Sequence, residues 1–424
     1  MARSVRRRIA VFTGNRAEYG LLVPVLRALE AREDVEMQLV VGGAHLDAQF
    51  GATREEIRQD GFAIAGEIAM HPGGDDLYGT AQAIGHGVLN VSHALRRLHP
   101  DLLVVYADRF EGFAATIAGT QMRIPTAHIE GGDLTEGGAL DDAVRHAMTK
   151  LAHLHFTTNQ QATNRLLWMG EEPWRVHTVG MAVLDLVARG DFPAPEDVAA
   201  RYRLQPDQPL VVFTQHSVTT EFDLAAAQLA PSLEALERLA NGGAQVVLTY
   251  SNNDAGGQRI VEDLRRFAAR HSRLIQLRPS VGRADYHGLL HLCGRAGRGA
   301  CVGNSSSGIK ETPAFGCPAV NIGSRQDGRL RADNVLDVGY DADQITAACR
   351  RALWDEAFRA QCRRCDNPYG GGQTGPMIAE ILAAVPLDAR LIRKRMTLDG
   401  RPLPADVPWL PRAQGLREPA GTAA

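Results

Sequence analysis

The chain has 424 residues, 45% of them hydrophobic, with a formal net charge of −3. That length exceeds one ordinary core and implies two domains. The weak net charge gives no global electrostatic reason for a nucleic-acid or anionic-membrane partner, so a small-molecule enzyme fits better.

The N-terminal MARSVRRRIAVFTG carries four arginines before a short apolar run, which reads as a solvated tail leading into a strand. With neither a signal-peptide h-region nor about 18 consecutive apolar residues anywhere, a cytoplasmic protein outside the membrane is expected. In the first half, RIAVFTG, MQLVVGG, DLLVVYAD, IPTAHIEG, LHFTTN and RVHTVG read as strands. Helix-period segments separate them, such as AEYGLLVPVLRALEA, where Leu22, Val25, Leu26 and Leu29 share one face. Strands apolar on both faces that alternate with helices predict a parallel sheet covered by helices. MHPGGDDLYGT, 70–80, reads as a mobile loop.

Residues 180–209 carry Pro193, Pro195, Pro206 and Pro209 without a strand signal, and the domain junction is placed there. A second series follows with PLVVFTQ, AQVVLTYS, RLIQLRP, GACVGNS and PAVNIG. The predicted class is α/β, two Rossmann-like doubly wound domains, with boundaries at 1–184 and 185–385 and a Pro-rich tail, extended or disordered, over 386–424. Such sheets bind ligands beyond their strand C-terminal ends, so the active site is expected in the interdomain cleft. The six cysteines all fall in the C-terminal third and read as reduced thiols. Cys362 and Cys365 have CxxC spacing without a second pair, so a metal or redox role for them is disfavoured.

The strand ends are rich in polar groups. The first turn, TGNRAEYG, supplies Arg16 and Glu18 but no GxGxxG, and no Walker A sequence is present, so neither NAD, FAD nor ATP is expected in those modes. GAHLD supplies His45, and DRFE supplies Asp108, Arg109 and Glu111. HIEGGDLTEGGALDDAVRHAMTK places Glu130, Asp133, Glu136, Asp141 and Asp142 within thirteen residues. Each of these acids can be a helix cap or an arginine's partner, but together they suggest acid/base chemistry. A helix is expected to start at Ala139 or Leu140, where Asp141 and Arg145 at i, i+4 can hold each other. Asp133 and Glu136 read as solvated loop, and the glycines as letting backbone approach a ligand. His216 in QHSVTTE is an acid/base or phosphate-ligand candidate. Ser305, Ser306, Ser307 and Gly308 open a short helix whose unpaired N–H groups suit a diphosphate, with Glu311 one turn on to accept from ribose hydroxyls. The acids follow no calcium-loop spacing and no HExxH occurs. Nearby Arg16, Arg109, Arg145 and Lys150 can neutralise phosphate, so no metal is expected.

In order and spacing, TGNRAEYG, GAHL, ADRFE, HIEGGD, QHSVTTE, SNNDAG and GNSSSGIKETPAFGCPAVNIGSRQ resemble the hydrolysing, sialic-acid-type branch of the UDP-N-acetylglucosamine 2-epimerase family, from about Arg8 to Val385. The resemblance implies a glycosyltransferase-B-like architecture, a homodimer or homotetramer, a UDP-N-acetylhexosamine substrate and no cofactor. It implies catalytic roles for Asp108, Glu130 and Asp141, supported by Arg145 and His216. Arg16, Arg109, Ser305, Ser306, Glu311 and Arg325 would hold the UDP part, with His45, Asn252, Asp254, Ser307 and Gly308 also at the substrate. The implied reaction eliminates UDP to a 2-acetamidoglucal, then adds water to give an N-acetylmannosamine-type sugar for nonulosonic acid synthesis. Two departures stand out: Ala107 replaces the glycine frequent before the Asp of DRF, and Ser217 replaces the proline frequent after the His of QHPVTT. A non-hydrolysing epimerase, hydrolysis of a UDP-2,4-diacetamido-2,4,6-trideoxyhexose, a glycosyltransferase and a sugar-nucleotide sensor remain as alternatives.

Overall fold

A computed structural model of the chain describes residues 6–46, 53–70, 77–135, 140–218, 220–251, 256–271 and 273–397. Two parallel sheets organise it. The first contains β1 (Arg7–Thr13), β2 (Val35–Gly42), β3 (Ile64–Ile68), β4 (Leu102–Tyr106), β5 (Thr126–Ile129), β6 (Leu154–Thr157) and β7 (Val176–Thr178) in the order β3-β2-β1-β4-β5-β6-β7. The second contains β8 (Leu210–Thr214), β9 (Gln245–Thr249), β10 (Ile275–Arg278), β11 (Gly299–Gly303), β12 (Ala319–Ile322) and β13 (Val335–Val338) in the order β10-β9-β8-β11-β12-β13. Both orders reverse once, between β1 and β4 and between β8 and β11, the positions where a doubly wound sheet opens a ligand crevice.

The strands form where expected because their side chains are apolar on both faces. β4 and β8 are buried at every position, as a sheet covered on both sides requires. Helix Arg16–Glu30 buries Leu22, Val25, Leu26 and Leu29 completely, each contributing roughly 1.5–3 kcal/mol. Its start is fixed by reciprocal capping: Asn15 accepts from the Glu18 amide, while the Glu18 carboxylate accepts from the Gly14 amide at 2.9 Å.

Three expectations change. Residues 77–80 of the expected mobile loop are the first turn of helix Leu77–Leu98; residues 71–76 lie outside the described set. The junction after β7 contains helices Leu184–Arg189 and Pro195–Arg201, whose Leu186 and Val198 are fully buried. The tail does not begin at residue 386. Helix Thr374–Ala384 returns to the first domain, where Ile378 and Leu382 join the core of β1 and helix Arg16–Glu30. The chain then continues through helix Ala389–Ile392 with Leu391 buried. Fully buried Arg175 holds this segment through the carbonyls of Arg390 and Leu391, each at 2.7 Å. The six cysteines are free, and the Cys365 thiol donates to the carbonyl of Cys362. Among the described residues no helix is long and apolar enough to cross a membrane.

Candidate active site

β4 and β5 are neighbours and end level with one another, Tyr106 opposite Ile129. Each strand is followed by a residue in left-handed backbone, Ala107 at φ 51° and Glu130 at φ 62°. Both are held there by the next strand, since the Ala107 amide donates to the Ile129 carbonyl at 2.9 Å and the Glu130 amide to that of Phe156 at 2.8 Å. A buried ring secures the turn from below: His128 bonds the Ala107 carbonyl through Nε2 at 2.6 Å and the Thr149 hydroxyl through Nδ1 at 3.2 Å. These turns place Asp108 and Glu130 side by side at the crevice.

Neither carboxylate is solvated alone. Arg145, nearly fully buried, pairs with Asp108. Glu130 receives the Tyr106 hydroxyl on Oε1 and the Lys310 ammonium on Oε2 at 3.0 Å. Burial, followed by the Glu130 charge, raises the Tyr106 pKa well above its ordinary value, which keeps the hydroxyl a donor. Arg145 stands on helix Leu140–Leu151, which starts where expected. Its partners are not those expected, however. It reaches Asp108 and lies 3.8 Å from Asp133 rather than clamping Asp141, because the buried carboxylates offer a charge that a half-buried helix neighbour need not supply.

Asp133 is the larger correction. It is buried, with the Lys310 ammonium at 2.5 Å and Arg329 at 3.8 Å, and is not a solvated loop residue. Burial alone would raise its pKa, but Lys310 and Arg329 outweigh that and hold it below the usual range. Arg329 also donates to the Leu134 carbonyl at 2.7 Å and the Thr135 hydroxyl at 3.1 Å, gripping the loop from the second domain. The glycines there serve packing. A Cβ on Gly132, at φ 79°, would collide with Leu166 and the Ala162 carbonyl; one on Gly131 would lie 2.9 Å from His128. Asp142 caps the loop by accepting from the Thr135 amide at 2.8 Å, and Asp141 is half-buried in the first turn of the helix.

Opposite, β11 ends at Gly303, at φ 126°, where a Cβ would collide with the Thr214 carbonyl, so no side chain fits. Ser305, Ser306, Ser307 and Gly308 follow as a turn into the four-residue helix Ser307–Lys310. The Ser307 hydroxyl bonds Ser305 at 3.0 Å and Tyr286 at 2.6 Å. Glu311 is buried and accepts from His287 at 2.8 Å, and Arg325 donates to the Asn304 carbonyl at 3.1 Å. His216 follows β8, its amide bonded to Asn304 at 2.7 Å and its ring 3.5 Å from the Ser251 hydroxyl. Arg16 spans the crevice, contacting Glu56 at 3.2 Å and Ser280 of the second domain at 2.6 Å. Arg109 lies 3.6 Å from Glu111. His45 is a core histidine bonded on both ring nitrogens, by Thr13 at 3.1 Å and Thr53 at 2.6 Å. Asn252, Asp254 and Glu136 lie outside the described residues. The structure thus adds Tyr106, Lys310, Arg329 and His128 to the site; none carries a spacing signal, because each meets its partner only in three dimensions.

A family profile described as UDP-N-acetylglucosamine 2-epimerase matches residues 27–383. The chain belongs to this family. It is 33% identical over 388 residues to the Legionella pneumophila UDP-N,N'-diacetylbacillosamine 2-epimerase (hydrolyzing), covering 92% of this chain and 98% of that protein. It is 31% identical over 372 residues to a Neisseria meningitidis UDP-N-acetylglucosamine 2-epimerase, covering 87% and 92%. Among solved structures, the N. meningitidis UDP-GlcNAc 2-epimerase bound to UDP-GlcNAc superposes with a TM-score of 0.75 at 17% identity over 89% of this chain and 99% of that one. The Methanocaldococcus jannaschii enzyme in complex with UDP-GlcNAc and UDP gives 0.71 at 17% identity over 88% and 99%. The epimerase fold, two Rossmann-like domains in the glycosyltransferase-B-like arrangement, is therefore the fold of this chain.

Proposed function

We propose that this epimerase-family protein hydrolyses a UDP-2-acetamido sugar with inversion at C2. The observation that carries the reading is the placement of Asp108 and Glu130 at adjacent strand ends, with the serine turn Ser305–Gly308 facing them at the other domain's switch point. In the first step one carboxylate takes the C2 proton as the C1–O bond breaks, its electron pair leaving with UDP, to give a 2-acetamidoglucal. Water then adds across C1=C2, its oxygen to C1, while a proton returns to C2 from the opposite face. Loss of the diphosphate is the main electrostatic task, for which the serine turn, Arg16, Arg109 and Arg325 provide donors. Return from the other face requires two acid/base groups in separate environments. Asp108 is 17% exposed and Glu130 6%, so we assign Asp108 to the sugar-facing role and Glu130, between Tyr106 and Lys310, to the second. Asp141, at the head of the Arg145 helix, lines the same mouth, and His216 supports from the second domain.

UDP-N-acetylglucosamine is the first substrate to try. The names of the Legionella relative and of the Campylobacter jejuni GDP/UDP-N,N'-diacetylbacillosamine 2-epimerase (hydrolyzing), 32% identical over 332 residues, favour a UDP-2,4-diacetamido-trideoxyhexose as the second. Both sugars are incubated with enzyme in deuterated water. Free UDP together with C2-deuterated, C2-inverted free sugar is expected, and Asp108→Asn and Glu130→Gln each lower turnover about 100-fold or more. Epimerised sugar still attached to UDP, or near-normal turnover in both variants, overturns the reading.

A further inference from the structure

Lys310 is a nearly fully buried ammonium, 3% exposed, on the domain opposite the carboxylates it serves. It follows the serine turn directly, being the last residue of helix Ser307–Lys310. Its ammonium bridges Glu130 at 3.0 Å and Asp133 at 2.5 Å, while the Tyr369 ring lies 5.5 Å away and Asn367 donates to its backbone carbonyl at 2.9 Å. Around it, Asp108, Glu130 and Asp133 face Arg145, Lys310 and Arg329, so the charges of these paired groups balance. A buried ammonium without its carboxylates is strongly disfavoured, and so are the carboxylates without the ammonium. The contact therefore exists only when the two domains are closed on one another, and closure fixes the direction of the Glu130 carboxylate.

We infer that Lys310 is a positioning residue: the Lys310–Asp133 pair latches the serine-turn domain to the carboxylate domain and aims Glu130 at the sugar. The inference rests on the proposed function for its reaction but not for its geometry. The alternative roles for a lysine beside a serine turn are to bind the diphosphate directly or merely to balance buried charge. The three make different demands. A diphosphate ligand controls UDP affinity. A balancing charge controls stability and is dispensable once its partner carboxylate is also removed. A positioning ammonium controls turnover and is not replaced by restoring balance, because Glu130 still lacks its partner.

The test is a cycle of Lys310→Met, Asp133→Asn and the double variant, read in thermal midpoint, UDP affinity by calorimetry, and UDP release from the better of the two UDP-sugars. Lys310→Met is expected to lower kcat about 100-fold and the thermal midpoint with it, while the Kd for UDP stays within about threefold. In the double variant the midpoint recovers most of the loss and kcat does not. Recovery of kcat together with the midpoint reduces Lys310 to charge balance and overturns the inference. So does a loss of UDP affinity of about tenfold or more in Lys310→Met, or unchanged turnover. Wild-type enzyme that releases no UDP from either sugar overturns the functional reading instead. The latch is still judged in that case by the midpoint coupling and UDP affinity, and additive losses in the midpoint overturn it.

Discussion

At the scale of single residues, the site is built on two left-handed backbone positions occupied by residues with a Cβ. Ala107 at φ 51° sits where related sequences frequently have glycine, and Glu130 at φ 62° has its side chain engaged on both oxygens. For Glu130 the strain is offset by contacts only a long carboxylate can make. Ala107 has no such return. Left-handed backbone costs an alanine roughly 1–2 kcal/mol, whereas glycine's extra unfolded-state freedom costs roughly 0.5–1 kcal/mol. The first term is larger, so Ala107→Gly is expected to stabilise the protein by about 0.5–1 kcal/mol with turnover retained. A denaturant midpoint that falls instead would show that the Ala107 methyl packs more favourably than its 9% exposed position suggests.

At the scale of elements, the strands and turn residues are legible in the sequence because period and composition are local. β3 and β13 give no such signal, for a physical reason: both are short edge strands, with burial patterns that mix exposed and half-buried positions, so they lack the double-faced apolar run. Asp108, Glu130 and Arg145 stand out at strand and helix starts. Their partners do not, since Lys310 lies 180 residues from Glu130 and only folding brings them together. Asp133 misleads for the same reason, because a carboxylate among glycines looks solvated until cations from another domain arrive. The C-terminal segment shows the limit of composition. Residues 389–397 look like the start of a polar tail, yet Lys394 donates to the carbonyls of Thr149, Lys150 and Ala152 at 2.8, 2.9 and 2.8 Å. Those carbonyls close the end of the helix that carries Arg145, and Glu171 accepts from the same ammonium at 2.7 Å. A cation capping a helix C-terminus in a buried setting is worth about 2 kcal/mol, and loss of its paired charge adds more. Lys394→Ala is therefore expected to destabilise the protein by about 3 kcal/mol in denaturant titration. A loss under about 0.5 kcal/mol, the size of an exposed pair, would remove the segment from the fold's energetics.

At the scale of the molecule, buried neutral histidines are concentrated in the seven-stranded domain, and they set its response to acid. His45 and His128 are both completely buried, and burial pushes their pKa values down to about 4 and about 3 from an ordinary 6.5. Above pH 6.5 neither the folded nor the unfolded form is protonated at these rings, so they contribute nothing to pH dependence. Between pH 6.5 and about 4 the unfolded chain binds protons that the folded chain refuses, so stability falls as pH falls. Below about pH 3 both forms are protonated and the loss is complete, at roughly 3–5 kcal/mol for each ring. His128 supports the Ala107 turn through its carbonyl, so the same protons that weaken the sheet also release Asp108. Hydrogen exchange read by mass spectrometry across pH 7 to 4 should therefore show β1, β4 and β5 losing protection ahead of β8 and β11, with turnover declining over the same interval. Since the two domains are joined by the buried Lys310 pairs and by helix Thr374–Ala384, early exchange should spread next to that helix. Equal loss of protection in both sheets would place the acid-sensitive step in the domain interface and not in these two rings.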